Sequence, residues 1–285
     1  MVRIVGFLAG LGFVGILLFS LITGLVSWVS EPPAPTAEHE FHLHPKEVAF
    51  ASDGPFGHFD RQQLQRGFQV YREVCAGCHS LRLVAFRDLE QLGYNEPEVR
   101  AIATQWAVPS PSINPETGEP ATRPSIPADR IPSPYPNDVA ARAANNNALP
   151  PDLSLIAKAR HDGAAYVYSL LTGYQEPSPE LLAEHPEAAP GPGLHHNPFF
   201  PNLNLAMAPP LTSAGQVTFD DGTESTIPNM ARDVAAFLTW TAEPTLVKRK
   251  QTGWAVMIFV LFATVLAYFS KQQIWSAAKP KRRKD

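Results

Sequence analysis

The chain is expected to fold as an all-α domain with long proline-rich loop inserts and one small β-hairpin, flanked by transmembrane helices. Three observations lead there. Apolar residues concentrate in two blocks near the ends, at 4–29 and 253–269. Between them, two segments, 60–79 and 229–244, carry apolar residues at helical spacing. The 29 prolines cluster strongly, so much of the middle must be loop with short helices. About 220 residues separate the blocks, the usual size of one domain. The expected organisation is an N-terminal membrane segment at 1–30, a linker at 31–45, a globular domain at 46–247, a membrane anchor at 250–275 and a basic tail at 276–285.

The first block, IVGFLAGLGFVGILLFSLITGLVSWV, is far longer than the apolar core of an ordinary signal peptide, and no clean small-x-small site follows it. It reads as a retained signal anchor, with a cleaved signal peptide as the alternative. In either case Arg3 stays inside and residue 31 onward is exported. SEPPAPTAEHE, at 30–40, reads as a stiff, extended linker.

The next element, DRQQLQRGFQVYREVCAGCH, opens on Asp60 as a helix N-cap, with Gln63 as its capping-box partner. Leu64, Phe68, Tyr71 and Val74 or Cys75 recur on one face. The helix runs into C-x-x-C-H, formed by Cys75, Cys78 and His79. These are the only two cysteines of the chain. A structural zinc site needs four ligands, usually two such pairs, and no second pair exists. A thioredoxin-like redox motif belongs beside a βαβ pattern, which is missing here. C-x-x-C-H is the attachment signature of c-type haem: two thiols form thioethers with the haem and the adjacent histidine faces the iron. In an exported chain with no other cysteine, one covalently attached haem c is the expected cofactor.

VPSPSINPETGEPATRPSIPADRIPSPYPND, at 108–138, holds nine prolines and cannot be helical throughout. It is expected to wrap the domain as an ordered loop, with disorder as the rival. VTFDDGTEST reads as a hairpin turning at Asp221-Gly222. NMARDVAAFLTWTAEP, at 229–244, supplies a closing helix, with Met230, Val234, Phe237, Leu238 and Thr241 on one face and Pro244 as its stop. A charge-free run at 254–270, with Trp254, Tyr268 and Trp275 near its ends, then crosses the membrane. The tail KPKRRKD favours a cytoplasmic C-terminus, although Lys248, Arg249 and Lys250 stand on the other side.

The sixth iron ligand is assigned to Met207, in the proline-braced loop NLAMAPPL; a gap-filling core methionine is the rival reading. Methionine opposite histidine raises the iron potential and fills the coordination sphere, which suits electron transfer. Among the histidines, HEFHLH at 39–44 could catch a metal, but a solvated polar face is the stronger reading. His161, His185, His195 and His196 read as loop or surface positions.

Charge divides unevenly. Arg3 is the sole charge in 1–30, and 248–285 holds nine basic residues and Asp285. Of the 23 Lys+Arg and 27 Asp+Glu, 13 basic and 26 acidic residues therefore fall in 31–247, a formal −13. Such a body does not bind nucleic acid and attracts basic partners. A merely solubilising surface is the alternative.

The blocks YREVCAGCHSL, AARAANNNALPPDLS, ARHDGAAYVYSLLTGYQEP, NPFFPNLNLAMAPPL and FDDGTEST, with the closing helix and anchor, resemble the cytochrome c1 family over about 45–275. Members are haem subunits of the cytochrome bc1 complex. The resemblance implies Cys75 and Cys78 as attachment points, His79 and Met207 as axial ligands, and Arg160 and Tyr166 on a haem propionate. It also puts NNNALPPDL near the haem edge, with Pro150 and Pro151 excluding water. Implied partners are cytochrome b, the Rieske iron–sulfur protein and a basic c-type cytochrome, soluble or membrane-bound, in a dimeric complex. The setting is a bacterial inner membrane, with the haem domain in the periplasm. The chain would relay electrons without itself being an enzyme. A stand-alone membrane-tethered cytochrome feeding an oxidase is the alternative; a haem enzyme or gas sensor would need an open sixth position. The family often has glycine where this chain has Asn147, and asparagine is the next best residue for a left-handed turn.

Overall fold

Two helices at the ends, each long and apolar enough to cross a membrane, enclose a predominantly helical domain. The computed structural model describes residues 2–32 and 34–276. In chain order the helices are α1 (Val2–Ser30), α2 (Ala37–Phe41), α3 (Arg61–Val70), α4 (Glu96–Thr104), α5 (Asp138–Ala144), α6 (Ile156–Ala159), α7 (Gly163–Leu171), α8 (Pro179–Glu184), α9 (Ile227–Ala242) and α10 (Leu246–Ser276). Two small antiparallel pairs complete it: β1 (Ser110–Ile113) with β2 (Pro120–Arg123), and β3 (His195–His196) with β4 (Asn204–Leu205). The basic tail at 277–285 lies outside the described residues.

The core forms where α3 meets α9. Gly67 permits the approach: a Cβ there would sit 2.1 Å from the Asp233 carbonyl oxygen. Around the crossing, Phe68 and Tyr71 stack on Trp106, and Phe237 on Trp240, at centroid separations of 5.7–6.5 Å. An ion cluster closes its edge. Arg66 donates through Nε to Asp233 and through Nη1 to Asp221, both at 2.7 Å. Asp233 is nearly fully buried, so its charge is tolerated only because Arg66 and Gln63 supply donors. α6 and α7 pack on the same helix, α9.

Several expectations hold in detail. Asp60 caps α3, accepting from the backbone N–H groups of Gln62 and Gln63. Leu64, Phe68 and Tyr71 are buried, and so is Met230, an ordinary core methionine. The closing helix starts two residues earlier than expected, because the Thr226 side chain caps it and Pro228 fits its first turn. Asn146 and Asn147 both adopt left-handed backbone, with φ of 50° and 64°, so asparagine sustains that turn.

Others are corrected. Gln63 is not a capping-box partner; its amide reaches across to Asp233 Oδ1 at 3.0 Å. The linker is not extended throughout, since Thr36 caps α2, and Ala37 and Phe41 pack with Leu181 and Leu203. The segment at 217–226 turns at Gly222 but forms no strands; Asp221 is drawn to Arg66 instead. The hairpin lies in the proline-rich insert, as β1–β2. There Ser110 and Ser125 share a buried hydrogen bond, and Arg123 grips Asp129 with two, at 2.6 and 2.7 Å. The insert is docked on the domain: Ile131 is buried and its N–H donates to Val84 O. His195 and His196, expected as loop or surface positions, form β3, and His196 is buried; His185 does follow α8 in a loop, between the carboxylates of Glu40 and Glu187.

Candidate haem site

The C-x-x-C-H segment begins as α3 widens into a π-helical turn, Tyr71–Cys75, closed by Ala76 N–H donating to Tyr71 O at 2.8 Å. The wider turn places Cys75 at the helix end. The N–H groups of Cys78 and His79 then fold back onto Cys75 O at 3.1 and 2.9 Å. Cys75, Cys78 and His79 are thus held on one compact turn. Both thiols are free. Burial, with Cys78 beside it, pushes the Cys75 thiol up to about 12, so it stays protonated at neutral pH.

His79 is fixed from both ends. Tyr71 OH donates to its backbone carbonyl at 2.9 Å. Its ring Nδ1–H donates to Pro151 O at 2.8 Å. Burial lowers its pKa, outweighing the opposing effects of the Pro151 bond and Asp152, so the ring is neutral. A neutral imidazole that donates from Nδ1 keeps its lone pair on Nε2, the form a metal requires. Asp152 ties the surrounding loops together. It accepts from Ser80 Oγ and from the N–H of Arg82, each at 2.8 Å, while Leu153 N–H donates to Ser80 O. Burial opposes its charge, but these donors and Ser154 hold its carboxyl below the ordinary value.

A second group of residues lies on α7 and the loops after it. The chain reverses between α6 and α7 through Asp162 and Gly163, both left-handed; a Cβ at Gly163 would sit 2.6 Å from Ala157 O. That reversal brings exposed Arg160 beside buried Tyr166. Burial raises the Tyr166 phenol, and the Arg160 guanidinium offsets part of the rise. Tyr174 follows Gly173, where a Cβ would strike Phe199 at 2.4 Å. Its OH donates to the carbonyl oxygen of Met207, half-buried just after β4. Burial, and Tyr166 nearby, push the Tyr174 phenol up, so it remains a donor.

The expected residues therefore fall into two sets, Cys75–Cys78–His79 and Arg160–Tyr166–Met207. Among the described residues no hydrogen bond joins His79 to Met207 or Arg160. The donor chemistry fits a c-type haem: two unpaired thiols, a neutral imidazole with its Nε2 lone pair available, a thioether, and an arginine–phenol pair suited to a carboxylate. Tyr71, Asp152 and Tyr174 were not singled out as site residues from the sequence, and Pro151, expected only to exclude water, was not expected to orient His79 through its carbonyl. Tyr71 shares the face of α3 that points into C-x-x-C-H and could have been found by spacing. The others act across long separations, with no local signal.

A profile of the Cytochrome C1 family matches residues 50–278. The mitochondrial cytochrome c1 haem protein of Saccharomyces cerevisiae is 44% identical over 246 residues, covering 86% of this chain and 76% of that one. Cytochrome c1 of Rhodospirillum rubrum is 44% identical over 236 residues, covering 79% and 85%. A Bradyrhizobium diazoefficiens protein named cytochrome b/c1 is 43% identical over 238 residues, covering 78% of this chain and 34% of that protein. The chain belongs to the cytochrome c1 family.

Proposed function

We propose that this chain is the membrane-anchored electron relay of a ubiquinol-oxidising cytochrome bc1 complex, taking electrons singly from a Rieske iron–sulfur protein and passing them to a c-type cytochrome. Haem c, when bound, supplies one reversible electron on its iron. In this reading Cys75 and Cys78 would carry the thioether links, and His79 Nε2 and Met207 Sδ would be the protein's ligands to the iron. Arg160 and Tyr166 would hold a propionate. The observation that carries the reading is the Nδ1–H bond from His79 to Pro151 O, which sets tautomer and ring orientation from within the protein.

The chain's own work is positional. It makes and breaks no substrate bond and is not an enzyme alone. Pro150 and Pro151 offer no N–H and shield the His79 side from water. Tyr174 anchors the methionine loop by its backbone. The net charge of the exported domain favours brief, steered encounters with a basic acceptor. Cytochrome b is the partner through which the chain joins its complex, a pairing the name of the Bradyrhizobium relative also joins. That complex is a dimer in the cytoplasmic membrane of a bacterium. α1 enters the domain and α10 leaves it, so the domain sits on one face, here the periplasm, with the C-terminus in the cytoplasm.

Purification tests this. Extracted in mild detergent, the chain should travel with a b-type cytochrome, and ubiquinol should reduce its haem only in that company. Isolation free of any b-type cytochrome, with undiminished delivery of electrons to an oxidase, would instead establish the stand-alone carrier.

A further inference from the structure

Residues 51–58 form a closed finger beside the start of α10. His58 N–H donates to Ala51 O at 2.8 Å and Gly57 N–H to Gly54 O at 3.4 Å, so the chain leaves and returns at one point. Gly57 makes this possible, since a Cβ there would lie 2.2 Å from the Ser52 carbonyl oxygen. The finger runs along α10. Lys250 Nζ donates to the carbonyl oxygens of Ser52 at 2.7 Å and Gly54 at 2.5 Å. One helical turn further on, the Phe56 ring stacks on Trp254, with centroids 5.3 Å apart and planes 10° apart.

Phe56 is nonetheless 79% exposed. Its level explains the exposure. Trp254 opens the charge-free run 254–270, which at about 1.5 Å per residue covers about 25 Å, close to the ~30 Å hydrocarbon thickness. Tryptophan in that position belongs to the interfacial layer. A ring stacked on it lies at the same depth. Lys248, exposed on the preceding turn, stands where lipid headgroups begin.

We propose that the 51–58 finger is a membrane contact, with Phe56 bedded in the interfacial lipid of the leaflet that α10 enters. A helix alone fixes the height of the domain but leaves it free to lean. A second contact beside the helix restricts its tilt and rotation, and so the direction in which the domain presents its haem site. The inference rests on α10 crossing the bilayer and is independent of the haem ligand assignments.

The test uses the full haem-loaded chain in vesicles of phosphatidylcholine and phosphatidylglycerol. Phe56→Cys, Pro55→Cys and, as a control in the β1–β2 turn, Glu116→Cys are spin-labelled, and relaxation by oxygen is compared with relaxation by a water-soluble nickel complex. Labels at 55 and 56 should favour oxygen several-fold over the control. Water-like accessibility at both positions would overturn the proposal. So would shielding that appears only after the chain is assembled with its partner subunits, because protein rather than lipid would then be the occupant. Phe56 lies outside the buried core, and Pro55→Cys reports on the same tip should Phe56→Cys lose its haem spectrum.

Discussion

Tyr174 donates its phenolic hydrogen to the carbonyl oxygen of Met207 at 3.0 Å, across 33 residues of chain. The bond steadies the backbone of the expected sixth ligand without touching its sulfur. Tyr174→Phe should therefore leave haem attachment intact while loosening the ligand loop. Loss of one such bond costs about 1 kcal/mol, roughly fivefold in an equilibrium constant. Added imidazole should displace the methionine about fivefold more readily, read from the visible spectrum. Unchanged imidazole affinity would count against a positioning role.

Removing the thioether itself is a stronger perturbation. Met207→Leu should keep the haem but lower its reduction potential and open the iron to carbon monoxide. Redox titration and a Soret shift on adding carbon monoxide to the reduced protein measure both. A variant with the parental potential that ignores carbon monoxide would place the ligand elsewhere.

Much of this was legible in the sequence because it is local. Cys75, Cys78 and His79 lie within five residues, Asp60 caps its own helix, and the apolar stripe of α9 repeats at the helical period. What escaped depends on the chain returning to itself. Pro151 is 72 residues from the imidazole it orients, and Gln63 finds Asp233 after 170. The turn at Asp221-Gly222 was recognisable, but Arg66 claims Asp221, and the strands form instead at 110–123. The π-turn that sets Cys75 has no sequence signature beyond the motif it serves.

The α3–α9 crossing tolerates no side chain at its tightest point. Gly67→Ala would put a methyl 2.1 Å from the Asp233 carbonyl, so the helices must part. Overpacking of this kind costs about 1–3 kcal/mol. The melting temperature of the haem-loaded protein should fall accordingly.

His185 links α2 to α8. Its Nε2 meets Glu40 at 3.0 Å and its Nδ1 meets Glu187 at 3.1 Å, with Phe41 edge-on to the ring and Glu184 adjacent. Hydrogen bonds to Glu40 and then Glu187 raise its pKa above the ordinary 6.5. A raised value means that the stabilisation is complete below pH 6.5 and disappears as pH climbs through the folded-state value. Protease cleavage at 31–36 should therefore accelerate on the alkaline side. In His185→Gln it should be fast already at pH 6, and a flat profile in the parent would contradict the link.

The acid limb has the opposite sign. The N–H of Thr223 and then Arg66 hold the Asp221 carboxyl at about 2, and Arg123 with the N–H of Ile126 does the same for Asp129. Depressed values mean stability present above the ordinary 3.8 and lost as pH falls toward 2. Asp221→Asn and Asp129→Asn should each flatten the stability profile between about pH 4 and 2. Profiles that remain parallel to the parent would remove these pairs from the account.

Attachment of haem through Cys75 and Cys78 is the claim beneath all of these, and acidified acetone tests it most directly. The precipitated polypeptide should keep its colour, its intact mass should exceed that of its own polypeptide by one haem, and Cys75→Ser with Cys78→Ser should abolish both. A colourless pellet beneath a coloured solvent, from the unaltered chain, would contradict it.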